Sequence, residues 1–377
     1  MVDKANCIRP VSESITDYFV SVTSGIVTLY SGLDRQVIDE SADASTIIQH
    51  AIDLLPTHGG KVSLAAGEYN LNQTIRIVDK HGVHLEGAAR GIWCYQPVGK
   101  RPGAVLQSEK SIDLVDIFGK NIRIVGTTIS NLYVVGSGRN NGKAGIVMRG
   151  NMDLSTLYNV GANNCGIGFH FQDDCSMMAD YSIDASQVYF CDPQQNGIGM
   201  RIDQAHYLKI VGGEFSDCSE YGIFISGKDE NSIVSPKISS ITAVRNPKAG
   251  IYIGKYADDV TITGGCDAAG SSQGSGIIIS GEGTTHAPRN VIVSQVHAYN
   301  NSHCGILVED GKNIIIQGCI SSVHEHKWVP APTAKKINQQ YGVKICRGVA
   351  NVVVNGCITY GNAMGEIVDE TETARIS

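Results

Sequence analysis

A glycine followed by apolar, variable and apolar residues returns eight times along this chain. The phrases are Gly145-Ile146-Val147-Met148, Gly166-Ile167-Gly168-Phe169, Gly197-Ile198-Gly199-Met200, Gly222-Ile223-Phe224-Ile225, Gly250-Ile251-Tyr252-Ile253, Gly276-Ile277-Ile278-Ile279, Gly305-Ile306-Leu307-Val308 and Gly342-Val343-Lys344-Ile345. Their glycines are 21, 31, 25, 28, 26, 29 and 37 residues apart, a loose period that predicts stacked repeats, each burying its apolar face only against its neighbours. Downstream of the later phrases a second short apolar run follows: Val260-Thr261-Ile262, Val291-Ile292-Val293, Ile314-Ile315-Ile316 and Val352-Val353-Val354. Two or three strands joined by sharp turns then form one coil, and successive coils pair as parallel strands about 4.8 Å apart.

Before the repeats, the pattern changes. Gly25 to Ile38 reads as two short strands around a turn, so a hairpin is expected. Ile47, Ile48, Ala51, Ile52 and Leu55 then fall at helical spacing, with Asp43 or Ser45 as cap and Pro56 as stop. This predicts a short amphipathic helix closing the first rung of the stack. Gly59 to Leu71 starts a strand, turns at Gly67 and starts another. The division expected is an extension with the hairpin at 1–41, the stacked coils at 42–370 and a tail at 371–377.

The run from Ala44 to Leu71, with Gly82-Val83-His84-Leu85-Glu86-Gly87-Ala88-Ala89-Arg90-Gly91 and the glycine-led rungs, resembles the pectate-lyase-like superfamily. The resemblance covers residues 42–370. It implies an all-β chain folded as a single-stranded right-handed parallel β-helix, a solenoid with an N-terminal capping helix. It does not imply one activity, because that superfamily includes polysaccharide lyases, glycoside hydrolases, uronate epimerases and viral tailspikes.

Composition changes the picture in few places. A formal charge of −7 supplies no basic stripe for phosphates, which argues against nucleic acid. No run of eighteen apolar residues offers a membrane span, and the first thirty residues lack the pattern of a signal peptide. The address is therefore not set by the sequence, although the resemblance suggests an extracellular or cell-surface protein. Of eleven cysteines, Cys319 and Cys357 occupy a rung position that Val296 takes elsewhere, and Cys266 sits one later. Interchange with valine predicts buried, reduced core residues. Asn163, Asn246, Asn301 and Asn362 each lie three or four residues ahead of a glycine, where an amide would bond to the next rung.

Strand alternation also predicts which residues face outward. Aligned on the phrase glycines, one outward column reads Val147, Gly168, Gly199, Phe224, Tyr252, Ile278, Leu307, Lys344. A second, two residues on, reads Arg149, His170, Arg201, Ser226, Gly254, Ser280, Glu309. Arg149, His170 and Arg201 would then stack, with Asp203, Asp173 and Asp174 as partial compensation. Such a cluster suits a uronate: arginine forks bind its carboxylate, and His170 is the natural acceptor of the adjacent proton because the unperturbed pKa of a histidine side chain lies near neutrality. The expected chemistry is β-elimination or C5 epimerisation of an anionic polysaccharide, with Phe224 and Tyr252 offering flat faces to sugars and Lys228 and Trp328 contacting substrate.

An ordinary salt-bridge ladder explains the same charged column equally well. The apolar outward stripe Phe224, Tyr252, Ile278 and Leu307 gives the main alternative, a non-catalytic tailspike-like or filament-forming protein that buries it as a homo-oligomer, trimer or filament. A glycoside hydrolase is the second alternative. The polygalacturonase-like motifs are missing, and Cys191-Asp192-Pro193-Gln194-Gln195 lacks the histidine and second aspartate of the alginate-epimerase signature Asp-Pro-His-Asp. His324 and His326 in the longest interval are too few ligands to name a metal site, and the same holds for Asp258-Asp259 at a turn. No cofactor is required; the lyases resembled imply calcium as a candidate.

Overall fold

The computed structural model describes residues 16–90, 102–174, 182–323 and 339–377. Three columns of short strands run its length. The first sheet contains the glycine phrases, including Ala144–Asp153, Ile167–Gln172, Ile198–Ile202, Tyr221–Ile225, Ala249–Ile253, Ser275–Ile279, Cys304–Val308 and Tyr341–Ile345. Each of these pairs in parallel with the next. The second sheet takes the downstream runs, such as Thr261–Thr263, Arg289–Ser294, Lys312–Gln317 and Ala350–Asn355. A third contains Thr242–Val244, Cys266–Ala269, Val296–Tyr299, Ile320–Ser322 and Ile358–Tyr360. This is a single-stranded parallel β-helix.

The core is a set of vertical apolar stacks. Ile146, Phe169, Met200, Ile223, Ile251, Ile277, Ile306 and Val343 are consecutive partners across eight rungs, and every one is fully buried. That register corrects the alignment at two rungs. Phe169 and Met200 face Ile146 and Ile223, so the glycines of the column are Gly168 and Gly199, not Gly166 and Gly197. In Gly-Ile-Gly either glycine fits the phrase; the strand pairing decides between them. The glycines of the column are tightly enclosed: a Cβ on Gly222 would lie 2.6 Å from both Gly250 O and Phe215 O.

Buried asparagines tie the coils together. Asn246 Oδ1 accepts from the Cys218 amide at 3.0 Å, while its Nδ2 donates to Phe215 O at 2.8 Å. Asn301 does the same for Ser271 and Ala268, and Asn196 for Cys165 and Ala162. Asn362 donates to Ser321 O. Asn163 instead bonds to the Gln195 side chain, and its expected place in the ladder belongs to Asn196.

At the N-terminal end, β1 (Tyr18–Thr23), β2 (Ile26–Ser31) and β3 (Val37–Ser41) form antiparallel hairpins. The helix α1 (Ala44–Leu54) follows, capped by the Asp43 side chain on the Ser45 amide, with Ala44, Ile47, Ile48, Ala51 and Ile52 buried. Lys80 Nζ closes its other end on the carbonyls of Ile52, Asp53 and Leu55. Two boundaries differ from expectation. β1 pairs in parallel with Gly60–Leu64, and Arg375–Ile376 pairs with Val353 and Val354, so hairpin and tail are both hydrogen-bonded into the stack.

No disulfide occurs among the described residues. Cys266 and Cys319 are buried as expected, whereas Cys357 is half-buried. Burial pushes the thiols of Cys165, Cys191, Cys218 and Cys304 up to about 12, which leaves them protonated and inert.

Candidate active site

The corrected register rearranges the outward face of the first sheet. Asp116, Val147, His170, Arg201, Phe224, Tyr252, Ile278, Leu307 and Lys344 form one continuous column. His170 and Arg201 are therefore rung neighbours, and the two aromatic residues continue directly from them. Arg149 is not in this column. It faces Phe118 and Gln172 across the rungs, two residues to one side, because Val147 is the true neighbour of His170.

Arg149 is committed to the fold. Its fork holds Asp116 through Nε and Nη2, both at 2.8 Å, while Nη1 reaches Asp174 at 2.7 Å. The guanidinium lies 3.9 Å from the centre of the Phe118 ring. Donation to the Asp116 carboxylate raises the Arg149 pKa above its ordinary value, against some desolvation. Asp174, expected beside His170, belongs to this cluster.

His170 Nε2 and Arg201 Nε both sit 2.8 Å from the Asp203 carboxylate, one on each oxygen. Burial alone would raise the Asp203 pKa, but these two hydrogen bonds and charges outweigh it and hold the carboxyl below its usual value. A neutral His170 ring that donates from Nε2 carries its lone pair on Nδ1. The sequence pattern found the three residues; their order was not legible, because Asp203 lies at the strand end and folds back between the other two.

Beside this triad runs an open groove of about 410 Å³. Asp173, Asp203 and Glu282 line it with Arg201, Lys228 and Lys255, and Phe224 and Ser226 complete its floor. His170 stands behind Asp203 and does not line the groove. Lys228 Nζ is 3.8 Å from Asp173 and otherwise reaches into solvent. Lys255 and Glu282 escaped the sequence reading: both sit on turns beyond their strands, where alternation no longer predicts direction.

The aromatic residues differ from expectation in one respect. Phe224 and Tyr252 stack on each other, centroids 4.9 Å apart and 5° from parallel, and Arg201 lies 5.7 Å from the Phe224 ring centre on the column's other side. Their faces are thus turned along the stack. Tyr252 is buried, with its hydroxyl on Ser280 O and Glu282, so it presents no flat face to a sugar. Burial and then the Glu282 contact raise its pKa. Leu307 is buried too, while Phe224 and Ile278 are half-buried, so the outward apolar stripe expected to need a second subunit is covered within one chain at two of its four residues.

Among the described residues no group of three or more His, Cys, Asp or Glu side chains is placed to hold a metal ion. Asp258 is forked by Arg289, and Asp259 accepts from Asn290, so that turn pair is engaged in side-chain bonds. Trp328, His324 and His326 lie outside the described residues. Among the described residues no helix is long and apolar enough to cross a membrane.

The profile described as "Right handed beta helix region" matches residues 182–376, just over half of the sequence. The chain belongs to the right-handed β-helix family. No curated protein matches it significantly in sequence. Solved structures share the fold at low identity. The Dettilon tailspike protein superposes with a TM-score of 0.65 at 13% identity, over 87% of this chain and 65% of the tailspike. A mannuronan C-5 epimerase A-module from Azotobacter vinelandii gives 0.59 at 16%, over 89% and 95%. The catalytic unit of a thermostable α-1,3-glucanase from Streptomyces thermodiastaticus gives 0.53 at 13%, over 89% and 66%. This β-helix spans about two thirds of the tailspike and the glucanase unit, and nearly all of the epimerase module.

Proposed function

We propose that the groove beside Asp203 binds an acidic polysaccharide and acts on it next to a uronate carboxylate, by β-elimination or C5 epimerisation. The observation that carries this is the convergence of Arg201, Lys228 and Lys255 on one open groove with the edge of Phe224. Cations so placed neutralise a bound carboxylate and the enediolate that forms when the adjacent proton leaves. Asp203 faces the groove and would receive that proton, with His170 behind it sharing the charge and Arg201 fixing its direction. A mannuronan epimerase and an α-1,3-glucanase built on the same fold support a polysaccharide as the ligand.

One observation favours hydrolysis as a second reading. The fold brings three carboxylates, Asp173, Asp203 and Glu282, into the same groove, and Asp203 is kept ionised. An ionised carboxylate opposite a second acid is what glycoside cleavage uses, and its depressed pKa makes Asp203 a weaker base for a carbon acid. One screen separates the two. Incubation with alginate, pectate and neutral glucans, followed by ultraviolet absorbance and reducing-end analysis, gives absorbing unsaturated ends for elimination. Epimerisation changes the uronate composition without cleavage, and hydrolysis gives reducing ends without absorbance. Asp203→Asn and Arg201→Ala should each lower turnover at least about 100-fold while retaining the fold. Full activity in both folded variants would remove this groove as the site.

A further inference from the structure

We propose that Cys357 and Cys319 form a reactive thiol pair, which a hydroperoxide converts to a disulfide that fastens the last complete rung to the one before it. Ile316 pairs with Val354 and Ile320 with Ile358, so the two cysteines between them occupy the same position on adjacent rungs. Their side chains repeat one arrangement. Cys319 Sγ lies 3.6 Å from Val293 O and 3.5 Å from Gln317 O, and Cys357 Sγ lies 3.8 Å from Ile316 O and 3.7 Å from Asn355 O. One thiol thus stands over the other at the inter-strand rise of about 4.8 Å, inside the Cα range of roughly 4.4–6.8 Å that a disulfide bridges. Cys266, on the same sheet, faces Val296 and has no such neighbour in that rung.

The two thiols differ in access. Cys319 is 1% exposed, whereas Cys357 is half-buried, beside the exposed Ile358. The contact between them lowers the pKa of the more exposed Cys357 thiol and raises that of Cys319. The attacking and resolving roles follow. The Cys357 thiolate attacks one oxygen of the hydroperoxide, the O–O bond breaks, and a sulfenic acid forms as hydroxide or alkoxide leaves with a proton from solvent. Cys319 sulfur then attacks the Cys357 sulfur, its own proton passes to the departing hydroxyl, and water leaves. Two thiols are oxidised by two electrons and one peroxide is reduced. The bond would pin Ile358–Tyr360, which pairs with Ile320–Ser322 at the end of the third sheet.

Peptide mapping tests this directly, because trypsin places Cys319 in 313–327 and Cys357 in 348–375, with Cys346 in a third fragment. Hydrogen peroxide at low molar excess should yield those two peptides joined, lighter by two hydrogens and separated by dithiothreitol, with a higher melting temperature for the oxidised protein. In Cys319→Ser, dimedone should label Cys357 and no cross-link should form; in Cys357→Ser, residue 319 should stay unmodified. Overoxidation of Cys357 without a cross-link, modification of Cys319 in Cys357→Ser, or no reaction at either residue would overturn the assignment.

Discussion

Replacing Asn246 with alanine removes two hydrogen bonds that join its coil to the one before it. Asn246 is fully buried, and its amide serves the Cys218 N–H at 3.0 Å and the Phe215 carbonyl at 2.8 Å. Alanine fills neither role, and water has no route to replace it. Each buried group left without a partner costs about 1–3 kcal/mol, so the pair is expected to cost roughly 3 kcal/mol after local relaxation. At 1.4 kcal/mol per decade this is about a 100-fold loss of protection. Because coils contact only their neighbours, the loss should concentrate in the rungs on either side. Hydrogen exchange by mass spectrometry on peptides spanning 215–222 measures it, with Lys237→Ala as the control. Lys237 is exposed on its strand, and its loss should change exchange by less than about threefold. Equal protection of the 215–222 peptides in wild type and Asn246→Ala would refute the claim that the buried ladder holds the coils together.

Three further outcomes follow from the same geometry. Gly222→Ala should cost about 3 kcal/mol, because the new methyl meets two backbone carbonyls that belong to adjacent turns and cannot rotate away; a denaturation midpoint equal to wild type would contradict this. Arg149→Lys should lower stability by about 2 kcal/mol through loss of the fork on Asp116 and Asp174, while activity per folded molecule stays unchanged; an activity loss without a stability loss would return Arg149 to the catalytic set. The folded-state pKa of Asp203 lies below its ordinary 3.8, so its contribution to stability is present above that value and fades as pH falls through the lowered one. Melting temperature followed from about pH 6 down to about pH 2 should therefore fall less steeply for Asp203→Asn than for wild type, and parallel curves would show that His170 and Arg201 do not hold this carboxylate.

The repeat itself was legible because burial in a β-helix is periodic. Ile223, Ile251 and Ile277 announce the core without any knowledge of their partners, and Asp43 and Pro56 mark the helix that closes it. Asn246 and Asn301 were legible for the same reason, as polar residues recurring at a fixed offset from glycine. What failed was local register. Gly166-Ile167-Gly168 and Gly197-Ile198-Gly199 satisfy the phrase in two frames two residues apart, and both frames put the same side chains inward, so hydrophobicity cannot choose between them.

Only contact between coils breaks that tie. Pairing of Phe169 and Met200 with Ile146 and Ile223 fixes the frame, and this moves His170 and Arg201 next to Phe224 while leaving Arg149 in a separate cluster. Likewise, Lys255 and Glu282 reach the groove from turns whose direction is set by the rung beneath. The sequence by itself determined that the chain coils and which residues fill the coil, since those depend on alternation along one strand. Which charged groups meet outside was decided by the tertiary structure, since that depends on how far each turn carries the chain before the next strand begins.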